Sequence, residues 1–571
     1  MTKVFSRLVL MLLSCLPLFV AAQSPFSHYF QDTLKPGHRV SGSLDSTDRY
    51  ISAYQSTLPD PIYQTGTLFQ PEFFLGNSST PFSKRYSSIA HVGLFYAMGS
   101  ASNQPAGISY TQQVSQRMAA QFDYRRSFSN DIMRNSAFEQ NTVFGSLRYV
   151  TPRYAGSLDV YFQSRKQAYN GGLLGDSLTL TDESLVFQSV SRSDADHLRK
   201  HAHLTWRNYV SFSKDSTVKT GVYVNPELRI TNRRFTDGQI FGLYNNYFFD
   251  SLRTNDYREL REIHLQAGYF FHSSRLRTEV GINNRYWDYD NLNLHRDTTE
   301  LQLQGILDFI LSERFSFKNQ LRYTLTGAQG ELLYKGMIRT TLKQFILAGT
   351  VGFERAYPQI YQRYFSGNHV NYDWNQKQLQ TNLHAHVQVN YRSAKTPVKL
   401  EVQWNQLQNN AWYLDSAWRQ DTITSFSMLQ GKVGLDLSWR KLILQPAFQF
   451  GLATEEFLPA YQAMMRIGFR GALFKAQKLQ TAIGLDLGYI GSFRLLDFDP
   501  MMHAYYFSGG NAEFTTMPKI HVFANFDLGF FRWFLRVENI EQTFVEVNQQ
   551  VMGYPVAPLQ LRFGFSWDLF N

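Results

Sequence analysis

Residues 379–393 read LQTNLHAHVQVNYRS, with Leu379, Thr381, Leu383, Ala385, Val387, Val389 and Tyr391 alternating with Gln380, Asn382, His384, His386, Gln388, Asn390 and Arg392. A period of two held over that length makes a β-strand with one oily face and one wet face. Strands of soluble proteins average about five or six residues, whereas a tilted strand crossing a bilayer needs roughly 9 to 11. Beyond the chain-reversing stretch Ser393-Ala394-Lys395-Thr396-Pro397, Val398, Leu400, Val402 and Trp404 alternate with Lys399, Glu401, Gln403 and Asn405, which completes a hairpin. In hydrocarbon every backbone N–H and C=O must be paired within the protein, so such strands cross only as a barrel without edges.

The pattern recurs along the chain. Leu301, Leu303, Leu307, Phe309 and Leu311 oppose Gln302, Gln304 and Asp308; Val433, Leu435, Leu437 and Trp439 oppose Lys432, Asp436, Ser438 and Arg440; Ile483, Leu485, Leu487 and Tyr489 oppose Gln480, Asp486 and Gly488. Segments of suitable length run from 88–98 to 559–570 and include 197–213, 218–232 and 257–271. The expected fold is therefore all-β, a transmembrane antiparallel up-and-down barrel of about 22 strands, within a range of about 18 to 24. Tight turns such as Ser115-Gln116, Lys343-Gln344 and Arg440-Lys441 alternate with long polar connections at 166–196, 233–256, 358–378, 411–424 and 494–514. Short turns belong to the periplasmic side and long loops to the outside.

Composition agrees with this fold. A mean hydropathy of −0.32 is too polar for a helical membrane protein, while 33 tyrosines and 47 phenylalanines are many for a soluble one. Aromatic rings favour the boundary between water and hydrocarbon, where barrels carry girdles of them. The competing reading, a soluble β-protein with an aromatic core, calls for shorter strands and less sharply divided faces.

The chain divides into three parts. Residues 1–22 read as a secretory signal peptide: Lys3 and Arg7 precede the apolar run Leu8 to Ala22, and small residues precede Gln23. Leu13-Ser14-Cys15 faintly resembles a lipoprotein cleavage box, but the run stays apolar beyond it. Residues 23–84, punctuated by Pro25, Pro36, Pro59, Pro61, Pro71 and Pro81, form an irregular periplasmic or lumenal leader. Residues 85–571 form the barrel. Cys15 is the only cysteine, so removal of the signal leaves no disulfide or thiol chemistry. The formal charge is +10, or +8 once Lys3 and Arg7 are gone, and the basic residues are scattered about one per strand or loop. No basic block interleaved with aromatics suggests nucleic acid as a partner.

Phe74-Leu75-Gly76-Asn77 with Thr80-Pro81, Ile108-Ser109-Tyr110-Thr111-Gln112, Tyr124-Arg125-Arg126-Ser127, Arg148-Tyr149 and Tyr169-Asn170-Gly171-Gly172 follow one another in an order and spacing that resembles the putative porin family of Gram-negative outer membranes. The resemblance implies an outer-membrane barrel with a channel role and carries no catalytic or binding residues with it. The final strand fits: Leu559, Leu561, Phe563, Phe565, Trp567 and Leu569 alternate with polar residues, although Asn571, not an aromatic, ends the chain.

Alternation places His384, His386, Gln388, Arg392, Lys399, Asp436, Arg440, Asp486 and Arg562 toward the wet side, as candidate lumen-facing residues. His384 and His386, like His201 and His203, have the i, i+2 spacing that lets two rings approach one metal, but no further ligands are identifiable. Neither G-x-S-x-G nor H-E-x-x-H occurs. No catalytic, cofactor-binding or metal site is expected. The expected partners are outer-membrane lipid, small hydrophilic solutes and, during biogenesis, the barrel-insertion machinery. The functional expectation is a porin-like channel for passive diffusion of small hydrophilic solutes; the alternative is a plugged or partner-dependent outer-membrane transporter or secretion-associated barrel.

Overall fold

The computed structural model describes Thr33–Leu34 and residues 86–570 apart from 88, 100–103, 131–133, 175–186, 214–217, 240–245, 313, 375–377, 394–395, 415–416, 421–424, 455–458, 476–477, 507–511, 515–516, 545–548 and 557. The signal peptide and leader expected over 1–22 and 23–84 lie outside the described residues, except that the backbone of Thr33–Leu34 pairs in parallel with Tyr86–Ser87.

Twenty-two antiparallel staves close into one barrel. They are β1 (His91–Gly99), β2 (Ala106–Ser115), β3 (Met118–Ser129), β4 (Phe138–Val150), β5 (Tyr154–Tyr169), β6 (Ala195–Ser211), β7 (Val218–Asp237) and β8 (Thr254–Ser273). Next come β9 (Leu276–Asn291), β10 (Leu294–Ser312), β11 (Phe315–Thr326), β12 (Leu332–Leu342), β13 (Phe345–Ala356), β14 (Gln380–Tyr391) and β15 (Val398–Gln408). The remainder are β16 (Ser425–Leu435 continued by Leu437–Trp439), β17 (Leu442–Ala453), β18 (Tyr461–Ala472), β19 (Gln480–Ile490), β20 (Met517–Asp527), β21 (Phe531–Glu538) and β22 (Gln560–Phe570). Closure is made by β1 against β22, from His91 opposite Phe570 to Gly99 opposite Arg562. The expected strand count is thus the observed one.

Two prolines interrupt the ladders as their missing N–H requires. Pro446 of β17 stands opposite the break between the two parts of β16. Pro226 of β7 coincides with a gap in its pairing to β6, where the Asn225 side chain takes over by accepting the Asn208 N–H at 3.0 Å.

The outward face is the oily one. Val387, Val402, Leu485, Leu561 and Phe563 are all exposed, whereas Asp486, Arg536 and Arg562 on the opposite face are buried. Aromatic pairs mark the lower rim of the band: Phe345 with Tyr391, Phe526 stacked on Trp533, and Phe531 against Trp567.

The wall is not of even height. The strands β5 to β10 hold 16 to 20 residues each, against 8 to 13 in the other continuous staves. Twenty residues at about 3.3 Å each and a tilt near 45° rise about 45 Å, well beyond the roughly 30 Å of hydrocarbon. This arc therefore stands above the membrane, and the expected loops 166–196 and 233–256 are partly strand. Within it Gly268 and Gly281 face one another, and the Tyr223 hydroxyl lies over both; a Cβ on Gly268 would sit 2.3 Å from the Val280 carbonyl oxygen. Only glycine lets the two backbones and the ring approach so closely.

Candidate functional site

Three of the long connections that alternation alone reads as polar external loops carry apolar residues inward, and a fourth joins them. After β13, Tyr357 to Trp374 forms the four-residue helix α1 (Ile360–Arg363) and the short hairpin Tyr364–Ser366 with Asn371–Asp373. From it Ile360, Tyr361, Phe365 and Val370 are buried, together with Tyr413 and Trp418 after β15, Phe498, Met501 and Met502 after β19, and Val551 and Tyr554 after β21. They pack against Tyr169, Phe235, Trp287 and Tyr289 at the tops of β5, β7 and β9. One continuous apolar cluster thus bridges the mouth from the tall arc to loops rooted on the opposite side.

Polar bonds hold this cluster in register. The Asp499 carboxylate accepts the main-chain N–H groups of Met501 and Met502 at 2.9 and 3.0 Å and the Tyr413 hydroxyl at 2.6 Å. Tyr169 and His503 are hydrogen-bonded at 2.6 Å, and the His503 ring stacks on His197, 5.5 Å away. Burial, followed by the nearby His197, Arg165, Arg233 and Arg199, holds His503 well below the usual histidine pKa. Asn368 ties the loop to the wall: its Oδ1 accepts the N–H groups of Phe249 and Asp250, and its own N–H donates to Asp256 at 2.8 Å. His369, hydrogen-bonded to the Asn246 carbonyl at 2.7 Å, is likewise shifted downward by burial.

Below the cluster, charges on the inner face come in matched sets. Arg466 grips Asp486 with two hydrogen bonds of 2.6 and 3.0 Å, Arg536 reaches the same carboxylate at 3.1 Å, and Glu538 links Arg536 to Arg562 at 2.9 and 3.0 Å. On the tall arc, Arg285 joins Glu262 and Glu300 at 2.6 and 3.1 Å, and Glu227 is shared by His203 and Arg229. Pairing of this kind offsets the desolvation of charges removed from bulk water.

The candidate lumen-facing residues fall in several places. Asp486 and Arg562 belong to the matched set just described. Gln388 donates to Glu401 at 3.2 Å, and Lys399 pairs with the same carboxylate at 2.6 Å. His384 stands opposite Gly352 and Asn405, where its ring covers the glycine, and His386 stands opposite Thr350 and Gln403. Asp436 lies at the break in β16, its N–H donating to the Pro397 carbonyl. Arg392 and Arg440 depart from the expectation: both lie just past their strands, in turns where alternation no longer sets the direction of a side chain. Arg392 is exposed. Arg440 has φ 56° and lies over the ring of exposed Trp439 at 5.6 Å. His201 bonds Thr231 rather than sharing a ligand with His203. Among the described residues, the metal-ligand types that converge are Asp288, Asp290 and His295, near the β9–β10 tip.

The closed barrel with a filled mouth defines an outer-membrane β-barrel protein. The chain belongs to the putative porin family, whose model matches residues 77–571. No curated protein matches it in sequence. Among solved structures, the FrpB iron transporter from Neisseria meningitidis is similar at a TM-score of 0.59 and 10% identity, covering 84% of this chain and 82% of that one. The siderophore receptor PirA from Acinetobacter baumannii gives 0.60 and 10%, over 85% and 81% of the two chains. The copper transporter OprC gives 0.61 and 8%, over 86% and 81%. At such identities the likeness establishes the fold.

Proposed function

We propose that the protein is a gated outer-membrane transporter for a small hydrophilic solute, whose resting state is closed by its own external loops. This favours the alternative of a plugged or partner-dependent transporter over a standing passive pore. The observation that carries it is the apolar cluster bridging the mouth, with Tyr361, Phe365, Tyr413, Phe498, Met502 and Tyr554 buried where an open porin would hold water. Membership of the putative porin family supports a channel-forming barrel, and similarity of fold to an iron transporter, a siderophore receptor and a copper transporter supports a wide barrel that handles specific cargo. In this reading His384, His386, Gln388, Lys399, Asp436, Asp486 and Arg562 line the path below the gate, lipid contacts the outward band, and residues 1–22 direct export.

Planar-bilayer recording of the purified full chain tests the reading. The wild type is expected to be almost silent, and a variant with residues 359–374 replaced by a short Gly-Ser linker is expected to give stable ohmic steps. Stable steps from the wild type itself would restore the passive pore.

A further inference from the structure

The register of the tall arc brings four arginines into one row. Arg165 of β5 stands directly opposite Arg199 of β6, Arg199 opposite Arg233 of β7, and Arg233 opposite Arg258 of β8. Like charges placed directly opposite one another repel. Deeper in the tall arc such charges are compensated, Arg229 by Glu227 on β7 and Arg285 of β9 by Glu262 and Glu300 on its two neighbours. Higher up, Arg199, Arg233 and Arg258 form no such ion pair among the described residues. Asp256 lies beside them: its Oδ1 accepts the Asn368 N–H, and its Oδ2 is buried without a hydrogen-bond partner, one carboxylate against the row.

Arg233 and Arg258 are only 4% and 7% exposed, yet both Nη atoms of Arg233, Nη1 of Arg258 and Nε of Arg199 lack any hydrogen-bond acceptor, as does Nε2 of His197 beside them. Native interiors rarely leave so many donors of one sign without acceptors unless something else supplies them. Rings hold the guanidinium groups meanwhile: Tyr361 lies 5.9 and 5.3 Å from Arg233 and Arg258, and Phe365 5.5 Å from Arg258.

We propose that this belt binds a small polyanionic solute, one carrying at least two carboxylate or phosphate groups, inside the external mouth. The planar forks of arginine match both groups in a bidentate way. The row faces the enclosed side, so a lipid headgroup is not its ligand. On the outer face at this height apolar Phe162 and Ile230 give way to Lys166 and Asn232, which sets the belt near the water outside. The cleft bounded by Arg233, Asp256, Arg258, Phe365 and Met501 has room for about one water. A solute must therefore displace Tyr361 and Phe365, which ties binding to the lifting of α1. The proposal rests on the gated reading for that coupling, and on the belt alone for the anion.

Titration calorimetry on the full chain in detergent tests it, with citrate and inorganic pyrophosphate as separate probes and maltotriose as the neutral control. Heat-modifiable migration on gels verifies that each variant is folded. Saturable binding of one anion or both is expected, with none for maltotriose; which anion binds distinguishes carboxylate from phosphate chemistry. Arg233→Gln and Arg258→Gln should each weaken binding about tenfold or more, while Arg275→Gln, in the turn between β8 and β9, should leave it unchanged. The proposal is overturned if neither anion binds the wild type or the Tyr361→Ala variant, in which the belt is uncovered, or if folded Arg233→Gln/Arg258→Gln binds as the wild type does. Binding without any change in conductance would sustain the anion site and remove the gate; a silent wild type, with no binding to it or to Tyr361→Ala, would do the reverse.

Discussion

Replacing Tyr361 by alanine should open the mouth without loosening the barrel. Tyr361 is 2% exposed, sits edge-on to Trp418 at 6.1 Å, and lies over Arg233 and Arg258. Truncating a buried large aromatic costs about 3 to 5 kcal/mol, and each lost cation–π contact adds about 0.5 to 1 kcal/mol. Because α1 is a docked loop and not a stave, that loss falls on the equilibrium between lowered and raised loop. At about 1.4 kcal/mol per factor of ten, even the lower figure raises the open fraction about a hundredfold. Single-channel recording reads that fraction, and the temperature of unfolding on gels should stay within a few degrees of the wild type. Phe345→Ala, on the outward lower rim, is the control and should leave the conductance silent. An open fraction within threefold of the wild type would refute the claim that this cluster is the gate.

Three further outcomes follow from the same structure. Val387→Arg places a charge on the lipid face and should cost about 2 to 4 kcal/mol near the midplane, whereas Gln388→Arg should change conductance in an opened variant and leave stability nearly untouched; equal destabilisation in urea titration would overturn the assignment of faces. Closure should weaken as pH falls from about 7.5 to about 5. His503, on the connection after β19, has its pKa lowered while that connection is docked in the cluster, so its undocked form takes up the proton first as pH drops below the ordinary value near 6.5, and protonation favours undocking; an open fraction that falls over that range would contradict this. Gly268→Ala should impair assembly of the tall arc, because the new Cβ meets the Val280 carbonyl; unchanged heat-modifiability would argue against the close approach.

The barrel was legible because the bilayer imposes its rule residue by residue. Each stave must alternate on its own, so Leu379 to Ser393 discloses β14 without reference to any other strand. The heights of the staves were less visible. The expected segment 218–232 stops short of the observed Val218–Asp237 because, above the lipid, Asn232 and Arg234 replace the oily outward residues on which the pattern depends. The gate was hidden for a different reason: Tyr361 meets Arg258 across more than a hundred residues of chain, and no periodicity encodes that contact. A local signal did exist, since Ile360-Tyr361, Trp412-Tyr413 and Met501-Met502 are apolar pairs inside connections expected to be polar. The arginine belt is the clearest case. Arginines scattered one to a strand look unremarkable in sequence, and only the cross-strand register of β5 to β8 turns them into a row.

A single reporter thiol tests the central claim, that an aqueous bore lies behind a mouth shut by its own loops. Cys15 is the only native cysteine, so Gln388→Cys in a Cys15→Ser background gives one thiol on the inner face of β14. Intact cells would be treated with a bulky, membrane-impermeant maleimide. Slow labelling that becomes fast when Tyr361→Ala is added, with Val387→Cys slow in both, is the result the account predicts. Fast labelling of Gln388→Cys with the loops intact would contradict it.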